Sequence, residues 1–326
     1  MVVNTPLVDL RAQPHTMAQP VTHDSLEETQ LLYGEEVRVL RQANEWAYVE
    51  AVEQREFTHA KHWQGYPGWL PTSALIRWDA LLAPTIVVTD KWVLAYQDPY
   101  TLVPSTWRFA LGTHLKGTEI GEHLWKIELL DGTVVWLPYR AARTLEDVAK
   151  LSVAEKRQAI VQSAALFIGD RYYWGGRSPS TAATTHITGV DCSGLVNLAY
   201  RRVGLDLPRD AHEQRLRARP IQQLQPADLI FLSARNNPKQ IVHVLLYAGN
   251  EEVIEGPGTG LAVRRIAVIK RFGQPIERLA PGAVIDGQTV SFGTYLPSVN
   301  RKRNFRLTIL DSDNPKFKIQ NTTGKR

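Results

Sequence analysis

The 326-residue sequence predicts an N-terminal half built as two small β-barrels, followed by a segment that mixes helices with antiparallel strands, an α+β organisation overall. Three observations carry this prediction. Short strand-like runs separated by turn residues fill roughly the first 145 positions, and one order of glycine, tryptophan and Trp-Leu-Pro occurs there twice. Beyond them, apolar stripes of helical spacing alternate with strands of period two.

The first half reads as strands over Glu36–Leu40, Trp46–Glu50 and Gly68–Pro71. Gly34 precedes Trp46 by 12 residues and Gly112 precedes Trp125 by 13, and Trp69-Leu70-Pro71 returns as Trp136-Leu137-Pro138. The first copy carries an extra segment, Glu53 to Gln64. Two barrels over residues 1–80 and 81–145 follow, with most of the tryptophans expected in barrel cores. Ser152-Val153-Ala154-Glu155 then matches a capping box, and Ile160, Val161, Ala164, Phe167 and Ile168 form the apolar stripe of a helix expected to end at Gly169. A catalytic domain is expected over 146–280 and a C-terminal extension over 281–326, in which residues 282–294 can add a terminal strand before a polar, basic tail.

The single cysteine stands in Gly189-Val190-Asp191-Cys192-Ser193-Gly194-Leu195-Val196, where a turn opens into an apolar helix. Leu195, Val196, Leu198, Ala199 and Val203 recur at helical spacing and Gly204 can stop the helix. Cys192 therefore lies at a helix start, where free N–H groups and the positive end of the macrodipole favour a thiolate. A buried small hydrophobe is the alternative fate of a free cysteine, so the nucleophile reading needs a base.

That base is readable downstream. Asp228–Leu232 reads as a buried strand, Ile241–Tyr247 as a second and Glu252–Glu255 as a third. Period two puts His243 on one face with Ile241, Leu245 and Tyr247, and Val242, Val244 and Leu246 on the other. A hairpin with a three-residue loop centred on Gly249 would set His243 directly opposite Glu255. Cys192 would then attack, His243 would take and return the proton, and Glu255 would orient the imidazole.

Asp191-Cys192-Ser193-Gly194 and Arg171-Tyr172-Tyr173-Trp174-Gly175-Gly176 are joined by Leu207-Pro208-Arg209-Asp210, Pro226–Phe231 and the His243–Glu255 hairpin. Taken in this order over about residues 152–275, they resemble the NlpC/P60 family of cell-wall cysteine peptidases. The resemblance implies a papain-like α+β fold, with the cysteine-bearing helix packed on a small antiparallel sheet, and cleavage of peptidoglycan stem peptides without metal or organic cofactor. Glu255 departs from the pattern: the third polar residue is usually His, sometimes Asn or Gln, and a carboxylate holds the imidazole charged more strongly.

The repeated first half, with Gly65-Tyr66-Pro67-Gly68-Trp69 as a closing strand, resembles a tandem of bacterial SH3b domains. The combined order is similar to γ-D-glutamyl-diamino acid endopeptidases that trim murein peptides (L-Ala-γ-D-Glu followed by meso-diaminopimelate or lysine). In those enzymes the first barrel walls the active site and admits only a free N-terminal L-alanine. Residue by residue, the resemblance offers Tyr172 as second oxyanion donor, Asp191 and Ser193 as substrate contacts beside the nucleophile, and Asp210, Glu35 and Tyr66 as partners of the substrate ammonium. Local propensity alone reads Asp191 as a helix cap, Asp210 as the cap of a following helix, Glu35 as a solvated turn residue and Tyr66 as barrel core. A wall-binding protein with an inactive catalytic domain and a papain-like acyltransferase or thioesterase are the other classes considered.

The formal charge of +5 is mild and densest at Arg301-Lys302-Arg303, which does not imply nucleic acid. No run approaches the ~18 apolar residues of a membrane span, and a lone cysteine excludes an internal disulfide framework. The N-terminus lacks a basic and apolar leader, so a cytoplasmic location is expected, or an exported one were a leader already removed. His59 and His62 lack the further ligands that zinc needs, and His186 and His212 read as surface or loop histidines. Oligomeric state is not readable.

Overall fold

The first two layers of the protein are β-structure, and each ends in the same way. In this computed structural model, which describes residues 1–16, 23–77, 83–121, 123–180 and 188–297, five strands form one sheet in the order Glu27–Leu32, Leu7–Arg11, Gln64–Pro71, Trp46–Glu56, Val37–Ala43. Seven more follow in the order Pro104–Ala110, Trp92–Tyr96, Val134–Pro138, Leu124–Glu128, His114–Ile120, Ile86–Val88, Ala142–Thr144. The repeated Trp-Leu-Pro explains the likeness. In both copies it closes a strand, and a one-turn 3₁₀ helix follows, Thr72–Ala74 in the first and Tyr139–Ala141 in the second. Gly34 and Gly112 both adopt a left-handed backbone that a side chain would resist. Trp125 is core, with Nε1 donating to the Tyr139 carbonyl, and Trp69 is also buried, whereas Trp46 and Trp136 are half-exposed.

Helix α1 (Leu145–Lys150) and helix α2 (Val153–Ala165) lead into the third layer. The capping box forms: the Ser152 hydroxyl accepts from the Glu155 N–H, and Glu155 accepts from the Ser152 N–H at 2.7 Å. Helix α2 stops at Ala165, short of Gly169. Phe167 still turns into the core, but Ile168 points outward, so the expected stripe is one residue too long.

Helix α3 (Cys192–Arg201) is buried along its whole length, and helix α4 (Ala211–Arg217) follows it. Both lie with α2 on an antiparallel sheet ordered Arg219–Pro220, Gln288–Thr294, Leu229–Ala234, Asn237–Gly249, Glu252–Glu255, Arg264–Ala267. Period two sorts the central strand as expected. Val244 and Leu246 join Leu195, Leu198 and Phe167 in one core, while Leu245 and Tyr247 join Val253 and, from helix α5 (Val268–Phe272), Val268 and Phe272 in another. Each such side chain contributes about 1.5–3 kcal/mol on burial.

Two expectations need correction. The division at residue 280 left Gln288–Thr294 in a separate extension, but this strand pairs with Leu229–Ala234 inside the sheet, because Val290 and Phe292 complete the second core. Residues 1–296 form one compact unit, and His186 and Arg301-Lys302-Arg303 lie outside the described residues. The hairpin register also differs. Asn250 and Glu251 both take positive φ, which makes a two-residue loop closed by Gly249 and Glu252, and a bulge at Ala248 follows. Leu246 faces Ile254, so Glu255 falls opposite Leu245 and reaches His243 diagonally rather than head-on.

Candidate active site

Helix α3 begins at Cys192 because Asp191 caps it. The Asp191 carboxylate accepts from the Gly194 N–H at 2.6 Å, from Ser193 Oγ at 3.1 Å and from the Gly175 N–H at 3.1 Å. Arg209, fully buried, grips the same carboxylate through two nitrogens at 3.1 and 2.8 Å and reaches Ser193 Oγ at 3.0 Å. Asp191 and Ser193 thus spend their side chains on the helix start and on Arg209, so the capping role is the one the geometry displays. The Trp174-Gly175-Gly176 turn packs directly on this start. A Cβ at Gly194 would lie 2.2 Å from the Gly176 carbonyl oxygen, so only glycine permits the approach.

His243 hydrogen-bonds the Cys192 side chain, and its Nε2 meets Glu255 Oε2 at 2.8 Å, which leaves Nδ1 for the sulfur. Burial pulls the imidazole pKa down, but Cys192 and Glu255 together outweigh it and raise it to about 9. Glu255 is buried, which alone would raise its pKa; His243, Arg271 and Arg264 overcome this and hold it at about 2. Cys192, a charged imidazole at His243 and an ionised carboxylate at Glu255 are therefore brought together in line.

Tyr172 lies within electrostatic reach of both Cys192 and Asp210, and burial, ahead of those charges, keeps its hydroxyl protonated. Its backbone N–H is already given to the Leu261 carbonyl, so any donor that Tyr172 offers is its phenol.

Tyr66 and Asp210 also meet. The Tyr66 hydroxyl sits 3.1 Å from Asp210 Oδ2 and 3.2 Å from Glu28 Oε2, so one phenol bridges two carboxylates. Asp210 begins α4 without capping it through its side chain, 41% of which stays open to solvent. Desolvation, then repulsion by Glu213 and Asp191, moves its pKa upward against the pull of Arg209.

Glu35 does not join this group. It is 1% exposed and forms a two-pronged ion pair with buried Arg177 at 2.9 and 3.1 Å, with Gln54 Nε2 at 2.8 Å on the same oxygen. It is neither a substrate contact nor a solvated turn residue, but a bolt between the first barrel and the catalytic layer. Glu28, not Glu35, is the barrel carboxylate that stands beside Tyr66 and Asp210. The signal was thin, since Glu27 and Glu28 adjoin on one strand and period two turns only the second toward the cleft.

The insert is likewise structural at the cleft's rim. The Thr58 N–H and hydroxyl bind Glu213 of α4, His59 Nδ1 lies 3.0 Å from Glu56, and His62 Nδ1 lies against the Ala60 carbonyl. Among the described residues no group of three or more His, Cys, Asp or Glu side chains is placed to hold a metal. His212 is helical and accepts from the Ile241 N–H at 3.2 Å.

A buried helix with its cysteine at the N-terminus, laid on an antiparallel sheet that supplies the histidine, is the papain-like α+β arrangement. Residues 169–272 match the NlpC/P60 family, and this part of the chain is an NlpC/P60 domain. The γ-D-glutamyl-L-lysine dipeptidyl-peptidase of Bacillus cereus is 26% identical over 239 residues, covering 71% of this chain and 67% of that protein. Its Bacillus subtilis counterpart is 26% identical over 242 residues, covering 74% and 75%. A solved NlpC/P60 family protein from Bacillus cereus superposes with a TM-score of 0.71 at 21% identity, over 91% of this chain and 99% of its own.

Proposed function

We propose that this protein is a cysteine endopeptidase that hydrolyses the bond from the γ-carbonyl of D-glutamate to the diamino acid in murein stem peptides with a free N-terminal L-alanine. One observation carries the reading. The Cys192–His243–Glu255 line ends near two carboxylates, Glu28 and Asp210, that share a phenol and, among the described residues, have no cation at hydrogen-bond distance, His59 Nε2 standing 4.0 Å from Glu28. Arg209 stands 3.8 Å from Asp210 but is committed to Asp191. A substrate ammonium between Glu28 and Asp210 pairs with both carboxylates and relieves their repulsion. The names of the Bacillus relatives point to the same bond class.

The Cys192 thiolate adds to the γ-carbonyl, and Tyr172 together with the Cys192 N–H meets the oxyanion. The His243 imidazolium protonates the departing amine, and the neutral imidazole then draws a proton from the water that cleaves the thioester. The two N-terminal sheets fit SH3b-like barrels, the first of which closes the ammonium end of the cleft. The test is mass spectrometry of products from L-Ala-γ-D-Glu-diaminopimelate and its lysine analogue, each with free and acetylated alanine. Cleavage after D-glutamate, at least tenfold faster for the free amine, is expected; equal cleavage of both forms would leave a general murein endopeptidase.

A further inference from the structure

Glu255 has more donors than an orienting carboxylate needs. Besides His243, Arg264 reaches Oε1 through Nε at 3.0 Å and Nη2 at 2.7 Å, and Arg271 Nε lies 3.0 and 3.1 Å from the two oxygens. The cations come from separate elements. Arg264 is the residue directly opposite Glu255 on the neighbouring strand, and Arg271 belongs to α5. A bare carboxylate presents one negative charge to the imidazole, whereas this carboxylate with two guanidinium groups sums to one positive charge. The other groups around His243 are Cys192 of α3, with the protonated Tyr172 beside that cysteine, and, through Ile241 of the same strand, His212 of α4; the preceding strand sets apolar Leu232 opposite it.

We propose that Arg264 and Arg271 are positioning residues that set the acid strength of His243, absorbing the charge of Glu255 so that the imidazolium can still release its proton to the leaving amine. This rests on the peptidase reading above. The step affected is acylation: the S–C bond forms, the C–N bond breaks, and the proton on His243 Nδ1 passes to the departing nitrogen. Without the arginines Glu255 still orients the ring but holds the imidazolium too firmly, making it a poorer acid. The effect is selective for leaving groups that need protonation.

The experiment uses the full chain with Arg271→Gln, Arg264→Gln and Arg271→Lys, and measures single-turnover acylation on a γ-D-glutamyl amide and on the matching p-nitrophenyl ester across pH. In the glutamine variants, amide acylation should fall about tenfold while ester acylation stays within about twofold, since a phenolate leaves without general-acid help. The basic limb should rise by about one pH unit, and Arg271→Lys should restore most of the loss. Equal losses on amide and ester, a basic limb that stays or falls, or lysine no better than glutamine would each overturn the proposal. Arg264, 44% exposed, carries the test if Arg271 variants fold poorly. Cys192→Ala separates the two readings: retained activity there defeats the peptidase assignment itself, whereas an inactive Cys192→Ala beside parental arginine variants defeats only the charge-absorbing role.

Discussion

Replacing Glu35 by alanine should cost stability and leave substrate recognition alone. The change strands the Arg177 guanidinium, 1% exposed, with Asn197 Oδ1 at 3.0 Å and the Gln30 carbonyl at 2.8 Å but no carboxylate. Breaking one side of a buried pair costs about 3–5 kcal/mol. The compact unit has 296 residues, and at about 2.1 cal/mol/K per residue its unfolding entropy is roughly 0.6 kcal/mol/K. The loss therefore corresponds to a Tm lower by about 5–8 °C. Thermal denaturation by circular dichroism, paired with kcat/KM on free and N-acetylated peptides at a temperature where both proteins are folded, measures the two effects separately. An unchanged Tm with a tenfold loss confined to the free-amine peptide would refute the reasoning and return Glu35 to the ammonium site.

Cys192→Ala should abolish hydrolysis while circular dichroism and Tm stay near the parent, since only one sulfur atom is removed and the Asp191 cap of the helix is untouched. Glu28→Gln and Asp210→Asn should each raise KM for the free-amine peptide by about ten- to a hundredfold, as expected for a lost charge-assisted bond of about 1.5–3 kcal/mol, and shrink the preference over the acetylated peptide. Activity should fall as pH rises through about 9, where His243 loses its proton; a profile flat to well above that value contradicts the ion pair. His243→Ala should be more damaging than Glu255→Gln, and Glu255→Gln should move the basic limb downward, because the amide no longer favours the imidazolium. The carboxylate held at about 2 from 4.5 contributes stability that is present above 4.5 and lost as pH falls toward 2, so Glu255→Gln should also flatten acid unfolding in that window.

Much of the catalytic line was legible because it depends on local rules: a turn before an apolar stripe places Cys192 at a helix start, and period two places His243 and Glu255 on one face. The register was not. Asn250-Glu251 lacks the glycine that usually marks a two-residue loop with positive φ, and a bulge at Ala248 leaves no trace in an alternating pattern. Glu35 and Glu28 show the harder limit. Both are carboxylates on the first barrel, and what separates them is a partner well over a hundred residues away, Arg177 for one and Asp210 for the other's shared phenol. The double-arginine grip on Glu255 was hidden for the same reason, since Arg264 and Arg271 look like ordinary surface cations until the edge strand Arg264–Ala267 and α5 bring them to the carboxylate.

Arg209 ties the two halves at their most sensitive point. One guanidinium holds Asp191 and Ser193 at the start of the nucleophile's helix and, through Nε, Thr29 Oγ1 of the first barrel at 2.5 Å, while its backbone N–H binds the Arg55 carbonyl. The barrel is therefore no interchangeable attachment. A chimera that grafts a foreign N-terminal segment onto this catalytic layer must supply a carboxylate for Arg177 and an acceptor for Arg209 Nε in place of Thr29, and recombination would favour crossovers that inherit both sides together.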